Sequence, residues 1–114
     1  MIIFKNNEYI EESKSFVNTN TEAFNYGISF FETIKYENGK CQYLKEHLNR
    51  LENSIGMLKN KKFNILEVEE IVENLYKINK LSGKLYTVKI IYSPLDDIFI
   101  VEFKENRYKN LKKF

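Results

Sequence analysis

With 114 residues, of which 43% are hydrophobic and 30% charged, the chain has the size and balance of one soluble globular domain around one core. Its formal net charge of +2 comes from lysines and glutamates mixed along the chain, which argues against nucleic acid, whose binders gather basic residues on one face. Cys41 is the only cysteine, so the chain forms no internal disulfide and no cysteine metal cluster, as suits a reducing cytoplasm.

No apolar run approaches the ~20 residues of a membrane span. The opening Met1-Ile2-Ile3-Phe4-Lys5 is too short and wrongly charged for a signal peptide. Ile2 to Phe4 reads as a short strand. Asn6-Asn7 is a turn signal and Tyr9-Ile10 a possible return strand. From Glu11 to Glu22 the chain is polar and reads as a loop, with a short strand allowed at Ser15–Val17.

Gly27 marks a turn before a strand over Ser29–Tyr36. Asn38-Gly39 then sits between two strand-like runs, the pattern of a two-residue hairpin turn whose central positions take positive φ. The expected return strand is Cys41–Leu44. Leu44, Leu48, Leu51, Ile55 and Leu58 follow at helical spacing and form one apolar stripe. Lys59 to Lys62 suits the negative C-terminal end of that helix. Asn64, with Glu67 three residues on, predicts the N-terminus of a second helix. Its buried face carries Val68, Ile71, Val72, Leu75 and Ile78, and Ser82-Gly83 would end it.

Lys84–Tyr92 alternates. Tyr86, Val88, Ile90 and Tyr92 share one face, while Leu85, Thr87, Lys89 and Ile91 share the other. Ser93–Asp97 is a tight connection to a final strand, Ile98–Lys104. Strands, two helices, then strands predict an α+β fold: an antiparallel sheet with two helices packed on one face, a two-layer sandwich.

Arg50 draws attention because the chain has 16 lysines and only two arginines, Arg50 and Arg107. It lies at the edge of the first helix's apolar stripe, with His47 one turn before and Ser54 one turn after. A guanidinium fork holds a phosphate bidentately. An arginine at a rim can equally lie over a sheet edge or pair with Glu46, and a single histidine beside an apolar face is often hydrogen-bonded scaffold.

On the strand before the hairpin, Ser29, Phe31 and Thr33 share one face and Phe30, Glu32 and Ile34 the other. One Phe must therefore stay outside the core, where an aromatic beside a hydroxyl lines a pocket or docks against a second domain. Lys89 is either an anion contact or the charge that guards an edge strand. Glu11-Glu12 and Asp96-Asp97 read as solvated loop pairs. Cys41 reads as a half-buried strand residue. No spacing for a metal site, a Gly-rich phosphate loop or a Ser/His/Asp set is present, and no residue is singled out as catalytic.

Tyr26-Gly27-x-Ser29-x-Phe31-Glu32-Thr33, then Asn38-Gly39-Lys40, then Glu46-His47-Leu48-x-Arg50-Leu51-x-x-Ser54 together resemble the N-terminal domain of the class IV aminotransferases. These fold-type IV pyridoxal-phosphate enzymes include branched-chain and D-amino acid aminotransferases and aminodeoxychorismate lyase. The resemblance spans about Met1 to Lys104. It implies that Arg50 binds the cofactor phosphate and that Tyr26, Phe31 and Thr33 line the substrate side. Lys89 falls where an arginine often holds the substrate carboxylate.

It further implies an amino or keto acid substrate, a homodimer, and a cofactor-bearing lysine in a larger C-terminal domain. On this reading residues 1–104 are the small N-terminal domain, 105–114 start an interdomain linker, the C-terminal domain is absent, and the chain alone is inactive and holds no pyridoxal phosphate. The rival expectation is a self-standing α+β binding or interaction module in which the same sheet face docks a partner.

Overall fold

The computed structural model describes residues 1–12 and 28–105. Among these residues six strands and two helices follow in the order β1 (Ile2–Lys5), β2 (Glu8–Glu11), β3 (Phe30–Glu37), β4 (Lys40–Cys41), α1 (Leu44–Ile55), α2 (Ile65–Ile78), β5 (Leu85–Ser93) and β6 (Ile98–Glu105). The strands form one sheet in the order β2-β1-β6-β5-β3-β4, with every neighbouring pair antiparallel. Both helices cover one face, giving the two-layer α+β sandwich that the element order predicts.

Local chemistry explains the turns. Asn38 and Gly39 both take positive φ, 53° and 87°, as the two-residue hairpin requires. Asn6 and Asn7 do the same between β1 and β2, at 46° and 71°. Asn64 caps α2 by accepting from the backbone N–H groups of Leu66 and Glu67.

Alternation then sorts the sheet. Ile34, Tyr36, Val88, Ile90, Tyr92, Val101 and Phe103 point under the helices and meet Leu48, Leu51, Ile55, Val68, Val72 and Leu75. The opposite face carries a smaller apolar group, Ile3, Ile98 and Ile100 with Ile10 and Ile91 beside it. Phe31 and Leu85 also lie on this face, together with the polar Thr33, Lys35, Thr87, Lys89, Glu102 and Lys104.

Three sequence expectations are corrected at element ends. The return strand is Lys40–Cys41, not Cys41–Leu44, because Tyr43 turns left-handed (φ 56°) and Leu44 is drawn into the core as the first residue of α1. The first helix stops at Ile55, before Gly56, a poor helix former, so Leu58 is 59% exposed instead of completing the stripe. The second stops at Ile78 rather than at Ser82-Gly83. Lys80 is left-handed (φ 54°), and the Asn79 side chain is turned to β1, where its Oδ1 accepts from Ile2 N (2.6 Å) and its Nδ2 donates to Ile2 O (2.8 Å). Ile78 is accordingly exposed rather than on the core face. Among the described residues no helix is long and apolar enough to cross a membrane.

Candidate functional site

The outer side of β3 positions the site. β4 pairs only with Tyr36 and Glu37. Beyond them, from Phe30 to Ile34, β3 has β5 on one side and no strand on the other among the described residues. Two groups of candidate residues sit on the two faces of this free edge.

On the helix face, Glu32 points the same way as Ile34 and Tyr36, into a layer where a carboxylate needs a partner. α1 supplies two from one flank, three residues apart. His47 Nδ1 lies 2.7 Å from Glu32 Oε1. Arg50 donates through Nε to Oε2 and Oε1 (3.1 and 3.2 Å) and through Nη2 to Oε1 (2.8 Å). A carboxylate carries no proton to give, so the His47 proton is on Nδ1 and points at Glu32. The 3.2 Å approach of Arg50 Nη2 to His47 Nδ1 is then two donors converging on one oxygen.

Burial raises the Glu32 carboxyl's pKa, but the Arg50 and His47 hydrogen bonds and charges outweigh it and hold Glu32 below its ordinary value. The same carboxylate raises the Arg50 guanidinium's pKa through its hydrogen bond and charge. Arg50 thus pairs with Glu32 across the layers, not with Glu46 on its own helix. Ser54 does not join: its Oγ donates back to the Arg50 carbonyl at 3.1 Å.

On the open face the register sets Phe31 opposite Ile91 and Thr33 opposite Lys89. Phe31 is the phenylalanine left outside the core, 57% exposed. The Lys89 ammonium leans along the sheet over the Phe31 ring, 4.7 Å from its centroid. The edge-strand explanation of Lys89 fails, because β5 is interior, paired with β3 on one side and β6 on the other.

Phe31, Thr33 and Lys89 therefore come together, while Arg50 lies across β3 from them. Tyr26 falls outside the described residues. A hollow of about 530 Å³ on the sheet includes Thr33 and Thr87. A better enclosed pocket of about 350 Å³, between Phe63, Phe99 and the start of α2, contains none of the candidate residues. At β3 a carboxylate little exposed to solvent is held by both a histidine and an arginine.

Glu32 was missed as a site residue. Its signal was in the alternation: a carboxylate on the same strand face as Phe30 and Ile34, with His47 and Arg50 on the rim of the next helix. Among the described residues no group of three or more His, Cys, Asp or Glu is arranged to hold a metal ion.

The chain is similar in structure to a branched-chain aminotransferase from the thermophilic archaeon Thermoproteus uzoniensis, solved with norvaline: TM-score 0.71, 18% identity, covering 92% of this chain and 40% of that one. At that identity the likeness speaks for the fold, and the chain spans less than half the length of the structure it matches. Among curated proteins none matches the sequence. The family model described as amino-transferase class IV matches residues 29–109, a stretch that includes β3, Glu32, His47 and Arg50, and the chain belongs to that family.

Proposed function

We propose that this chain is the N-terminal portion of a pyridoxal-phosphate-dependent aminotransferase or aminodeoxychorismate lyase-like enzyme that acts on an amino acid or amino-carboxylate substrate. The observation that carries the reading is the state of Arg50. Its guanidinium is pinned along one edge by Glu32 yet its side chain is 66% exposed, within the segment that matches the family. A guanidinium has five N–H donors in a fixed fork. Glu32 takes Nε–H and one hydrogen of Nη2, leaving three hydrogens uncommitted to it that suit a phosphate group.

When bound, pyridoxal phosphate supplies the electron sink for chemistry at the amino acid's Cα. The roles proposed for this chain's residues are binding and orientation. Arg50 holds the phosphate. Phe31 and Thr33, with Tyr26, line the substrate side. Lys89, held over Phe31, offers an ammonium to the substrate carboxylate. The lysine that carries the cofactor is proposed to lie outside these residues, in the larger part of the enzyme that the 40% coverage leaves unmatched. The enzyme is proposed to work as a cytoplasmic homodimer, with residues 1–104 as its small domain.

The test is on the polypeptide that contains this chain in its natural reading frame. Purified, it should carry pyridoxal phosphate and convert amino acids with 2-oxo acids or release an amine-derived product. The 114-residue chain alone should give no borohydride-trappable adduct at a single lysine. Absence of cofactor and of both activities in the natural polypeptide would overturn the proposal.

A further inference from the structure

We infer that Glu32 is a positioning residue for the phosphate site: it fixes the Arg50 guanidinium so that one edge is held by the protein and the opposite edge is presented to a phosphate. The inference rests on the proposed role of Arg50 and adds a residue to it. Three observations carry it. The first is the asymmetry of the pair, with the Glu32 side chain 11% exposed and that of Arg50 66%. The anchor is inside and the group it holds is outside, so the pair is not a mutually solvated surface bridge, of the kind that contributes little.

The second is the edge used. Glu32 engages Nε and Nη2, the side of the fork, and leaves Nη1 and the second hydrogen of Nη2 uncommitted to it. A second anion can therefore be taken on the end of the same fork without displacing the first. The third is His47. Its Nδ1–H donates to the Oε1 that also receives Arg50 Nη2, so the carboxylate is held from a second side chain and cannot swing out with Arg50.

A free arginine side chain of this exposure samples many rotamers, and ordering it when a ligand arrives weakens binding. Here the ordering is done by the fold: β3 places Glu32, and α1 places His47 and Arg50 one turn apart. The carboxylate also offsets the guanidinium's charge, so the site presents directed donors more than a bare positive field. That selects for an anion able to accept in-plane hydrogen bonds, as a phosphate monoester does.

Two measurements test this. In the isolated chain, labelled with nitrogen-15, only Arg50 and Arg107 contribute arginine Nε–H signals. The Arg50 signal should be exchange-protected, and Glu32→Gln, which keeps the shape and one acceptor, should speed its exchange by roughly tenfold or more. In the holoenzyme, Glu32→Gln should speed loss of pyridoxal phosphate by on the order of tenfold while leaving the affinity for pyridoxal, which lacks the phosphate, unchanged. In an Arg50→Ala background the same substitution should have no further effect.

If Arg50→Ala releases the cofactor but Glu32→Gln does not, the positioning role is wrong and the Arg50 assignment stands. If Arg50→Ala leaves pyridoxal phosphate retention unchanged, the Arg50 assignment fails and this inference with it. Equal weakening of pyridoxal and its phosphate by Glu32→Gln, or an undiminished effect without Arg50, would show a general structural role and overturn the proposal.

Discussion

The Lys89 ammonium stands 4.7 Å from the centroid of the Phe31 ring, on the face of the sheet opposite α1 and α2. The two residues lie on adjacent strands, diagonally across the Thr33–Lys89 and Phe31–Ile91 register positions. The ring both orients the ammonium and remains half open, so a carboxylate can reach the charge from the solvent side. In the complete enzyme, Lys89→Gln is expected to raise KM for the carboxylate substrate roughly 10- to 100-fold, the range for loss of a charged hydrogen bond, with a smaller effect on kcat. The domain's melting temperature should barely move. An unchanged KM with a lowered melting temperature would assign Lys89 to the scaffold.

The same face predicts association. Phe31 and Ile91 lie side by side there, next to the buried group of Ile3, Ile98 and Ile100. Apolar area of this kind marks a contact surface more often than a solvated one. The 114-residue chain is expected to form dimers or higher species at high protein concentration. Phe31→Glu should shift it toward monomer without unfolding it, since Phe31 is 57% exposed. Sedimentation showing a clean monomer before the substitution would count against this face as the interface.

How much of this was legible beforehand depended on range. Local signals carried well. Asn38-Gly39 announced its hairpin, Asn64 its helix start, and the Leu44–Ile55 spacing its buried stripe. The face assignment of Phe31, Thr33 and Lys89 followed from alternation alone.

Strand order did not, because β3 pairs with β5 across two helices, and nothing in a local pattern selects that partner. Helix ends were misplaced where a tertiary contact decides them, as with Asn79 and β1. Alternation groups Glu32 with Phe30 and Ile34, but its partners are 15 and 18 residues away on another element. Pairing a strand carboxylate with a helix flank requires knowing that the helix crosses that strand.

Asn79 gives a stability test of a long-range clamp between the end of α2 and the first strand. Its side chain meets both the N–H and the carbonyl of Ile2, and Nδ2 also donates to the Leu75 carbonyl at 3.0 Å. Asn79→Ala leaves partly buried backbone groups unpaired, which costs roughly 1–3 kcal/mol. Urea unfolding should show this as a lower midpoint with an unchanged slope. Amide exchange at Ile2 should accelerate more than at Val88 or Ile90 in the sheet centre. A uniform loss of protection would mean that Asn79 stabilises the whole domain rather than the docking of β1.

Cys41 should be inert. Burial, with a smaller contribution from the Glu69 charge, pushes its thiol up to about 12. At pH 8 the thiolate is then scarcer than in the unfolded chain by on the order of a thousandfold. Modification by a thiol reagent should be slow in the native protein and fast in urea. Native labelling at the unfolded rate would show that the β4 edge opens freely or that the thiol is exposed.

The Glu32 cluster predicts a specific acid signature. Burial raises the Glu32 pKa and the Arg50 and His47 contacts lower it further than that, so the folded value lies below the unfolded one of about 4.3. A carboxyl with a depressed folded pKa contributes its full stabilisation above the unfolded pKa and loses it as the pH falls through the folded pKa. The stability gap between the wild-type chain and Glu32→Gln, which cannot titrate, should therefore be present in full at about pH 5. It should shrink below about pH 4.3 and close further as Glu32 takes up its proton. Other carboxylates, Asp97 among them with its pKa lowered by Tyr92, destabilise both proteins in acid and cancel in the difference. Because Arg50 is exposed and His47 is not, added salt should narrow the gap at neutral pH without removing it. Urea unfolding at pH 7, 5, 4 and 3 measures each point. A gap at pH 3 as large as the gap at pH 5, or larger, would mean that Glu32 is not held as a carboxylate by Arg50 and His47.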